Sequence, residues 1–124
     1  MTGGLAQTIM LIAGGAGAAS RFALDGVIRA RWPSRLPWAT IVINLTGSLL
    51  LGVLTGLVLH QGLAADVKLI VGTGFCGGYT TFSTASFETV RLIQQRRIPG
   101  AAVNLLGTTA GAVLLGGLGL ALTR

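Results

Sequence analysis

The chain has 124 residues, of which 52% are hydrophobic and only 10% are charged. Soluble domains carry about 25% charged residues, so this composition excludes an ordinary soluble domain and favours a membrane protein. The formal net charge is +6, but the basic residues flank apolar segments, so nucleic acid is not an expected partner. Cys76 is the single cysteine, so no disulfide can form within the chain.

Four apolar segments follow one another, at about residues 5–28, 38–59, 69–95 and 98–123. A helix needs roughly 20 apolar residues to cross a bilayer, so each segment is long enough to do so. In the first, Arg21 and Asp25 lie four residues apart and are expected to neutralise each other. No basic residue precedes Arg21, which favours a membrane helix over a signal peptide. We therefore predict an all-α membrane protein in which residues 1–124 form one domain of four transmembrane helices.

Basic residues are unevenly distributed over the predicted loops. Those on one face of the membrane, in or beside the first and third loops, are Arg29, Arg31, Arg35, Arg91, Arg96 and Arg97. Lys68 and Arg124 lie on the other face. The positive-inside rule therefore places the first and third loops in the cytoplasm and both termini outside. Trp32 and Trp38 bracket the first loop and are expected at the lipid headgroups.

The third segment contains KLIVGTGFCGGYTTFS, residues 68–83, in which three glycines fit the G-x-G-x-x-G frame of dinucleotide-binding loops. Such a loop needs a soluble strand–helix–strand unit, whereas these glycines lie in an uncharged segment of membrane-crossing length. Each glycine inside a helix costs about 1 kcal/mol relative to alanine. Thr80 and Thr81, which follow, favour a new helix start. We therefore predict that the third helix is broken at residues 77–81, and such breaks are ion sites in many transporters.

Close contact between helices is the alternative explanation for glycines in membrane segments. Two G-x-x-x-G pairs are assigned to that role, Gly52 with Gly56 and Gly107 with Gly111. For the glycines of the third segment both explanations remain open. The threonines that follow them favour the break.

Residues 74–88, GFCGGYTTFSTASFE, closely resemble the signature of the small bacterial fluoride channels, the CrcB or Fluc family. Motifs of that family's first, second and fourth helices are similar to GGAGAASRF at 14–22, NLTGSLLLG at 44–52 and NLLGTTAG at 104–111. The resemblance implies a broken third helix, an antiparallel dimer, two fluoride pathways and one structural sodium ion at the dimer centre. It also implies passive export of fluoride by a multi-pass protein of the bacterial inner membrane, with membrane lipid around it.

The same resemblance implies site residues. Backbone carbonyls from each subunit would bind the sodium ion at Gly77 and Thr80. An amide, a ring edge and hydroxyl groups would line the anion pathway, namely those of Asn44, Phe82, Ser83, Thr84, Thr108 and Thr109. Glu88 would lie near the mouth of the pathway, and Arg21 would have a vestibular or structural role.

Two features depart from the family pattern. Ala85 stands where the family usually has a second phenylalanine. The uneven charges of the loops are unlike the balanced loops expected of a subunit that inserts in both directions. The dimer partner therefore stays open, as either a second copy of this chain or an oppositely oriented paralogue.

Two other functions are considered. A proton-coupled small multidrug exporter needs a carboxylate within the membrane, whereas Asp25, Asp66 and Glu88 lie near the ends of predicted spans. A non-conducting helper subunit would explain packing glycines but not a hydroxyl-rich break. No set of nucleophile, base and acid is recognisable in the sequence, so an enzyme is not expected.

Overall fold

The computed structural model describes residues 3–34 and 36–124, and within these ranges the chain is helical with short connections and no strand. The prediction of an all-α fold is confirmed. Helix α1 spans Gly3–Arg31, and α2 spans Trp38–His60. Arg35, one of the arginines counted for the first loop, lies outside the described residues, as do the first two residues of the predicted domain.

Helix α3 is a continuous helical run over residues 65–79. Its middle part, Lys68–Cys76, has the wider turns of a π-helix. There the N–H of Gly77 donates to the carbonyl of Gly72, five residues back. Wide turns of this kind are rare and frequently occur at functional sites.

The helical run stops after Tyr79, and α4 spans Phe82–Gln94. Between them, Thr80 and Thr81 have extended backbones, with ψ angles of 158° and 119°. Gly77–Tyr79 is helical, so the extended segment is shorter than the interval 77–81 that the glycines indicated. The close contact of Gly78 with the backbone of Gly14 on α1 favours the helical conformation there.

Helix α5 spans Ile98–Leu122 and contains a second stretch of wide turns, Val103–Gly107. Arg96 joins α4 to α5 in a left-handed conformation, with φ of 59°. The N–H of Arg96 donates to the carbonyl of Ile93 at 3.0 Å, and the N–H of Arg97 donates to that of Leu92 at 2.8 Å, both in the last turn of α4. This is a Schellman ending, and it reverses the chain so that α5 packs beside α4.

Among the described residues, three helices are long and apolar enough to cross a membrane, namely Gly3–Arg31, Trp38–His60 and Ile98–Leu122. Many large apolar side chains on them face outwards. Phe22 on α1 is 81% exposed and Leu114 on α5 is 71% exposed. Such surfaces are unfavourable in water but suit contact with lipid.

Glycines bring α1 and α3 into backbone contact. A Cβ atom at Gly17 would collide with the carbonyl of Phe75, and one at Gly78 would collide with the carbonyl of Gly14. A Cβ at Gly77 would instead meet no atom within 4 Å. The glycine-rich motif therefore serves close packing at Gly78 and leaves an open backbone at Gly77.

Helices α2 and α5 form the second close pair. Three glycines assigned to packing do contact other helices, Gly52, Gly56 and Gly111. A Cβ at Gly52, for example, would collide with the backbone of Gly116. Gly107 has open space within 4 Å of its Cβ position among the described residues, so within the single chain it does not pack against another helix. Spacing alone could not show this, because it does not say which face of a helix is covered.

Candidate functional site

A groove of about 720 Å³ lies between α2, α3, α4 and α5. Its walls are mainly apolar, with polar groups contributed by all four helices. The predicted site residues that line it are Asn44, Gly77, Thr80, Phe82, Thr108 and Thr109. Those that do not line it are Arg21, Ser83, Thr84 and Glu88. The structure therefore brings most of the predicted residues together around the helix interruption.

Asn44 on α2 holds the extended segment in place. Its Nδ2 donates to the carbonyl of Thr81 at 2.9 Å, and the N–H of Thr81 donates to its Oδ1 at 2.8 Å. Asn44 is only 9% exposed. An extended residue between two helices leaves both of its peptide groups unpaired, and buried unpaired groups are costly. One side chain satisfies both groups, and we call this pair of hydrogen bonds the Asn44 clamp.

The two threonines of the interruption make hydrogen bonds to the helix ends beside them, Thr80 to the end of α3 and Thr81 to the start of α4. The N–H and the hydroxyl of Thr80 both donate to the carbonyl of Cys76, at 2.9 and 2.8 Å. The hydroxyl oxygen of Thr81 accepts from the N–H of Thr84 at 3.2 Å, which makes Thr81 the N-cap of α4. Capping is therefore the local reason that the helix restarts where it does.

Thr81→Val is expected to lower the free energy of unfolding by about 1 kcal/mol, because valine keeps the shape but cannot cap α4. Thr84→Val is the matched control, since the capped group is the backbone N–H of Thr84 and not its side chain. Thermal unfolding of both variants in detergent measures the difference. Equal stability of the two variants would contradict the capping role.

The end of α3 offers carbonyl oxygens as possible cation ligands. The carbonyl of Gly78 accepts from Nε of Arg21 at 3.4 Å, and that of Cys76 is occupied by Thr80. Among the described residues, no hydrogen bond reaches the carbonyl oxygens of Gly77 or Thr80. The same residues contain no group of three or more His, Cys, Asp or Glu side chains that could hold a metal ion. The oxygens present are neutral peptide carbonyls, which suit a hard cation.

Asn104 on α5 is a polar residue of the groove that sequence reasoning did not assign. It is 1% exposed, and its Nδ2 donates to Thr89 Oγ1 at 2.8 Å and to the carbonyl of Ala85 at 3.2 Å. Its Oδ1 and the hydroxyl of Thr108 are buried without a hydrogen-bond partner among the described residues. An amide within an apolar span was the signal that could have singled out Asn104. The Oδ1 of Asn104 and the hydroxyl of Thr108 could therefore form hydrogen bonds with a ligand in the groove.

Phe82 opens α4 with a ring that is 87% exposed, so the single chain leaves it uncovered. Thr109 lines the groove, but its hydroxyl donates within α5 to the carbonyl of Leu105 at 2.7 Å. Ala85 also lines the groove and presents only a methyl group there. The aromatic surface at this position is therefore limited to Phe82.

A charged cluster joins α1, α2 and α4 beside the groove. Arg29 pairs with Asp25 at 2.7 Å and with Glu88 at 3.2 Å, and the other oxygen of Glu88 accepts from the hydroxyl of Thr40. The prediction that Arg21 neutralises Asp25 is wrong. Both arginines lie four residues from Asp25, but only Arg29 also reaches Glu88. The order of acid before base along the helix is also the more favourable one.

The fold is that of a multi-pass membrane protein, and its helices line a mainly apolar groove that contains several polar groups. Residues 8–120 match a protein-family model described as CrcB-like protein, Camphor Resistance (CrcB). The chain belongs to the CrcB family, which is a family of ion channels and not of enzymes.

Curated relatives support this assignment. A protein of Leifsonia xyli named fluoride-specific ion channel FluC 1 is 52% identical over 109 residues, which cover 88% of this chain and 80% of the relative. One of Cutibacterium acnes named fluoride-specific ion channel FluC 2 is 48% identical, covering 90% of this chain and 91% of the relative. One of Syntrophotalea carbinolica named fluoride-specific ion channel FluC is 42% identical, covering 91% and 93%. The resemblance found in the motifs therefore extends over almost the whole chain.

Proposed function

We propose that this protein is a fluoride-specific channel that lets fluoride leave the bacterial cytoplasm passively across the inner membrane. The names of its relatives support the choice of ion. The observation that carries the proposal is the interruption between α3 and α4, which the Asn44 clamp holds against a groove lined by unpaired polar groups. Unwound backbone at membrane depth is tolerated where it is buried in protein or lines a wet cavity.

Fluoride is small and strongly hydrated, so a narrow path must replace its water with other donors. Asn44 uses one N–H of its amide in the clamp, and the second N–H is the donor that we assign to the anion. The hydroxyl of Thr108 is a second donor, and the ring edge of Phe82 offers weak positive character. Weak sites in succession allow conduction, because no single site retains the ion. Ser83 and Thr84, which lie outside the groove, are assigned no contact with the anion here.

We further propose that residues 65–94 form a fourth membrane crossing, made of α3 and α4 as half-helices. In an antiparallel dimer the carbonyls of Gly77 and Thr80 would then hold a structural sodium ion together with those of the second subunit. The free carbonyl oxygens and the open backbone at Gly77 fit that role. A bound cation supplies positive charge, which offsets part of the penalty for removing water from fluoride.

Export needs no energy source in this scheme. An inside-negative membrane potential drives an anion outwards with about 2.3 kcal/mol per charge at 100 mV. The partner in the dimer is a second copy of the chain or a paralogue of opposite orientation. Ala85 and the uneven loop charges favour a paralogue that contributes a further aromatic ring.

Ion efflux from liposomes tests the proposal. Vesicles containing the purified chain, alone or together with an oppositely oriented paralogue, are loaded with potassium fluoride or potassium chloride, and valinomycin is added to release the potassium that balances anion efflux. We expect rapid fluoride efflux and little chloride efflux. Equal efflux of the two anions would contradict fluoride specificity, and drug uptake driven by a proton gradient would favour the exporter. Full protection of fluoride-sensitive cells by this chain alone would contradict an obligate paralogue.

A further inference from the structure

The cluster of Arg29, Asp25, Glu88 and Thr40 lies beside the groove. Glu88 falls between Ala85 and Thr89 on α4, both of which line the groove. Thr40 lies one helical turn before Asn44 on α2. Arg29 is in the last turn of α1, beside the first loop. The cluster therefore flanks the groove at the end of the bundle that carries the first loop.

The carboxylates of this cluster are unfavourable for an anion, and Arg29 reduces that effect. The side chain of Glu88 is 15% exposed, so its carboxylate is partly desolvated, and its field reaches further than it would in water. Arg29 is shared between Glu88 and Asp25 at 3.2 and 2.7 Å, and its own side chain is 50% exposed. Among the described residues, Arg29 is the cation that pairs with both carboxylates, so its removal would leave neither of them with a described ion pair.

Arg29 also fixes the direction of the Glu88 carboxylate. One oxygen of Glu88 accepts from Arg29 on α1, and the other accepts from Thr40 on α2. A carboxylate held at both oxygens cannot turn towards the groove. The positive charge comes from Arg29, whereas the orientation comes from Arg29 and Thr40 together.

We propose that Arg29 is a positioning residue for conduction, which offsets part of the negative charge of Glu88 and Asp25 and holds the Glu88 carboxylate away from the mouth of the anion path. The proposal rests on the proposed channel function. It assigns Arg29 an action through Glu88 and no contact with fluoride. Arg29 also lowers the net charge of the cluster from −2 to −1, so the approaching anion meets less repulsion at this part of the groove.

Fluoride efflux from liposomes tests the proposal with Arg29→Gln, Glu88→Gln and the double variant. At low salt we expect Arg29→Gln to lower the fluoride flux about tenfold, because the unpaired carboxylates repel the anion. The double variant should return to within about threefold of the wild type, since the repelling charge of Glu88 is gone. Arg29→Lys should retain most of the flux, because it keeps the positive charge.

The salt dependence of the flux distinguishes an electrostatic role of Arg29 from a purely structural one. At 1 M of an impermeant salt the Debye length is about 3 Å, so the deficit of Arg29→Gln should shrink to about twofold. A purely structural role predicts a deficit that salt does not change and that Glu88→Gln does not rescue, and either result would overturn the proposal. Arg31→Gln is the matched control, since Arg31 lies in the same turn of α1 outside the cluster. The flux of the wild-type protein reports on the channel function itself, and the ratios between variants report on Arg29.

Discussion

Replacing Asn44 with leucine is expected to reduce fluoride flux at least a hundredfold and to destabilise the protein by about 2–4 kcal/mol. Leucine has nearly the same size, but it leaves the N–H and the carbonyl of Thr81 unpaired in a partly buried position. Each buried unpaired group costs about 1–3 kcal/mol. The extended segment would then lose its fixed position, and the anion path would lose its amide. Fluoride efflux and thermal unfolding of the same purified samples measure both effects.

Thr55→Val is the matched control for this variant. Thr55 also lies on α2, but its hydroxyl donates only to the carbonyl of Leu51 in the same helix. We expect its flux to stay within about twofold of the wild type, since no second helix loses a partner. If Asn44→Leu kept flux and stability close to those of Thr55→Val, the role of the Asn44 clamp would be contradicted.

Gly78→Ala is expected to prevent folding or to destabilise the protein by about 3 kcal/mol or more. The added Cβ would collide with the carbonyl of Gly14 and would lie 3.1 Å from the N of Ala18, so α1 and α3 would have to separate. Overpacking usually costs about 1–3 kcal/mol, and here the obstacle is backbone that no side-chain rotation can relieve. The yield of monodisperse protein in detergent and its thermal unfolding test this expectation.

Gly15→Ala serves as the control, because a Cβ at Gly15 meets no atom within 4 Å. Alanine is also the better helix former by about 1 kcal/mol, so Gly15→Ala should be at least as stable as the wild type. A stable, folded Gly78→Ala protein would contradict the backbone contact between α1 and α3. It would leave the helix interruption as the remaining reason for the glycines of this segment.

The helices were predictable because membrane thickness sets the length of the apolar segments. Helices α2 and α5 begin at Trp38 and Ile98, where the predicted segments begin, since charged or turn-forming residues precede both. Helix α1 extends past the predicted end at residue 28 to Arg31. Hydropathy cannot show that extension, because its last turn contains the paired Arg29.

The partners of polar residues were less predictable, because they depend on contacts far apart in the sequence. Asn44 and Thr81 are 37 residues apart, and Asn104 and Thr89 are 15 apart. The sequence indicated that Asn44 is an amide within a membrane span, but it could not show that Asn44 forms hydrogen bonds with the backbone of Thr81. The choice between Arg21 and Arg29 as the partner of Asp25 was likewise decided by Glu88, a residue of another helix.

The Asn44 clamp has a consequence for biosynthesis. Helix α4 has 13 residues, fewer than the roughly 20 that hold a helix across the hydrocarbon by themselves. While the nascent chain enters the bilayer, the peptide groups of Thr81 would face lipid until a partner arrives. Because α2 precedes the interruption in the chain, the amide of Asn44 is synthesised before Thr81, the residue that it pairs with. A circular permutant that synthesises α2 last should accumulate as a translocation intermediate sensitive to quality-control proteases.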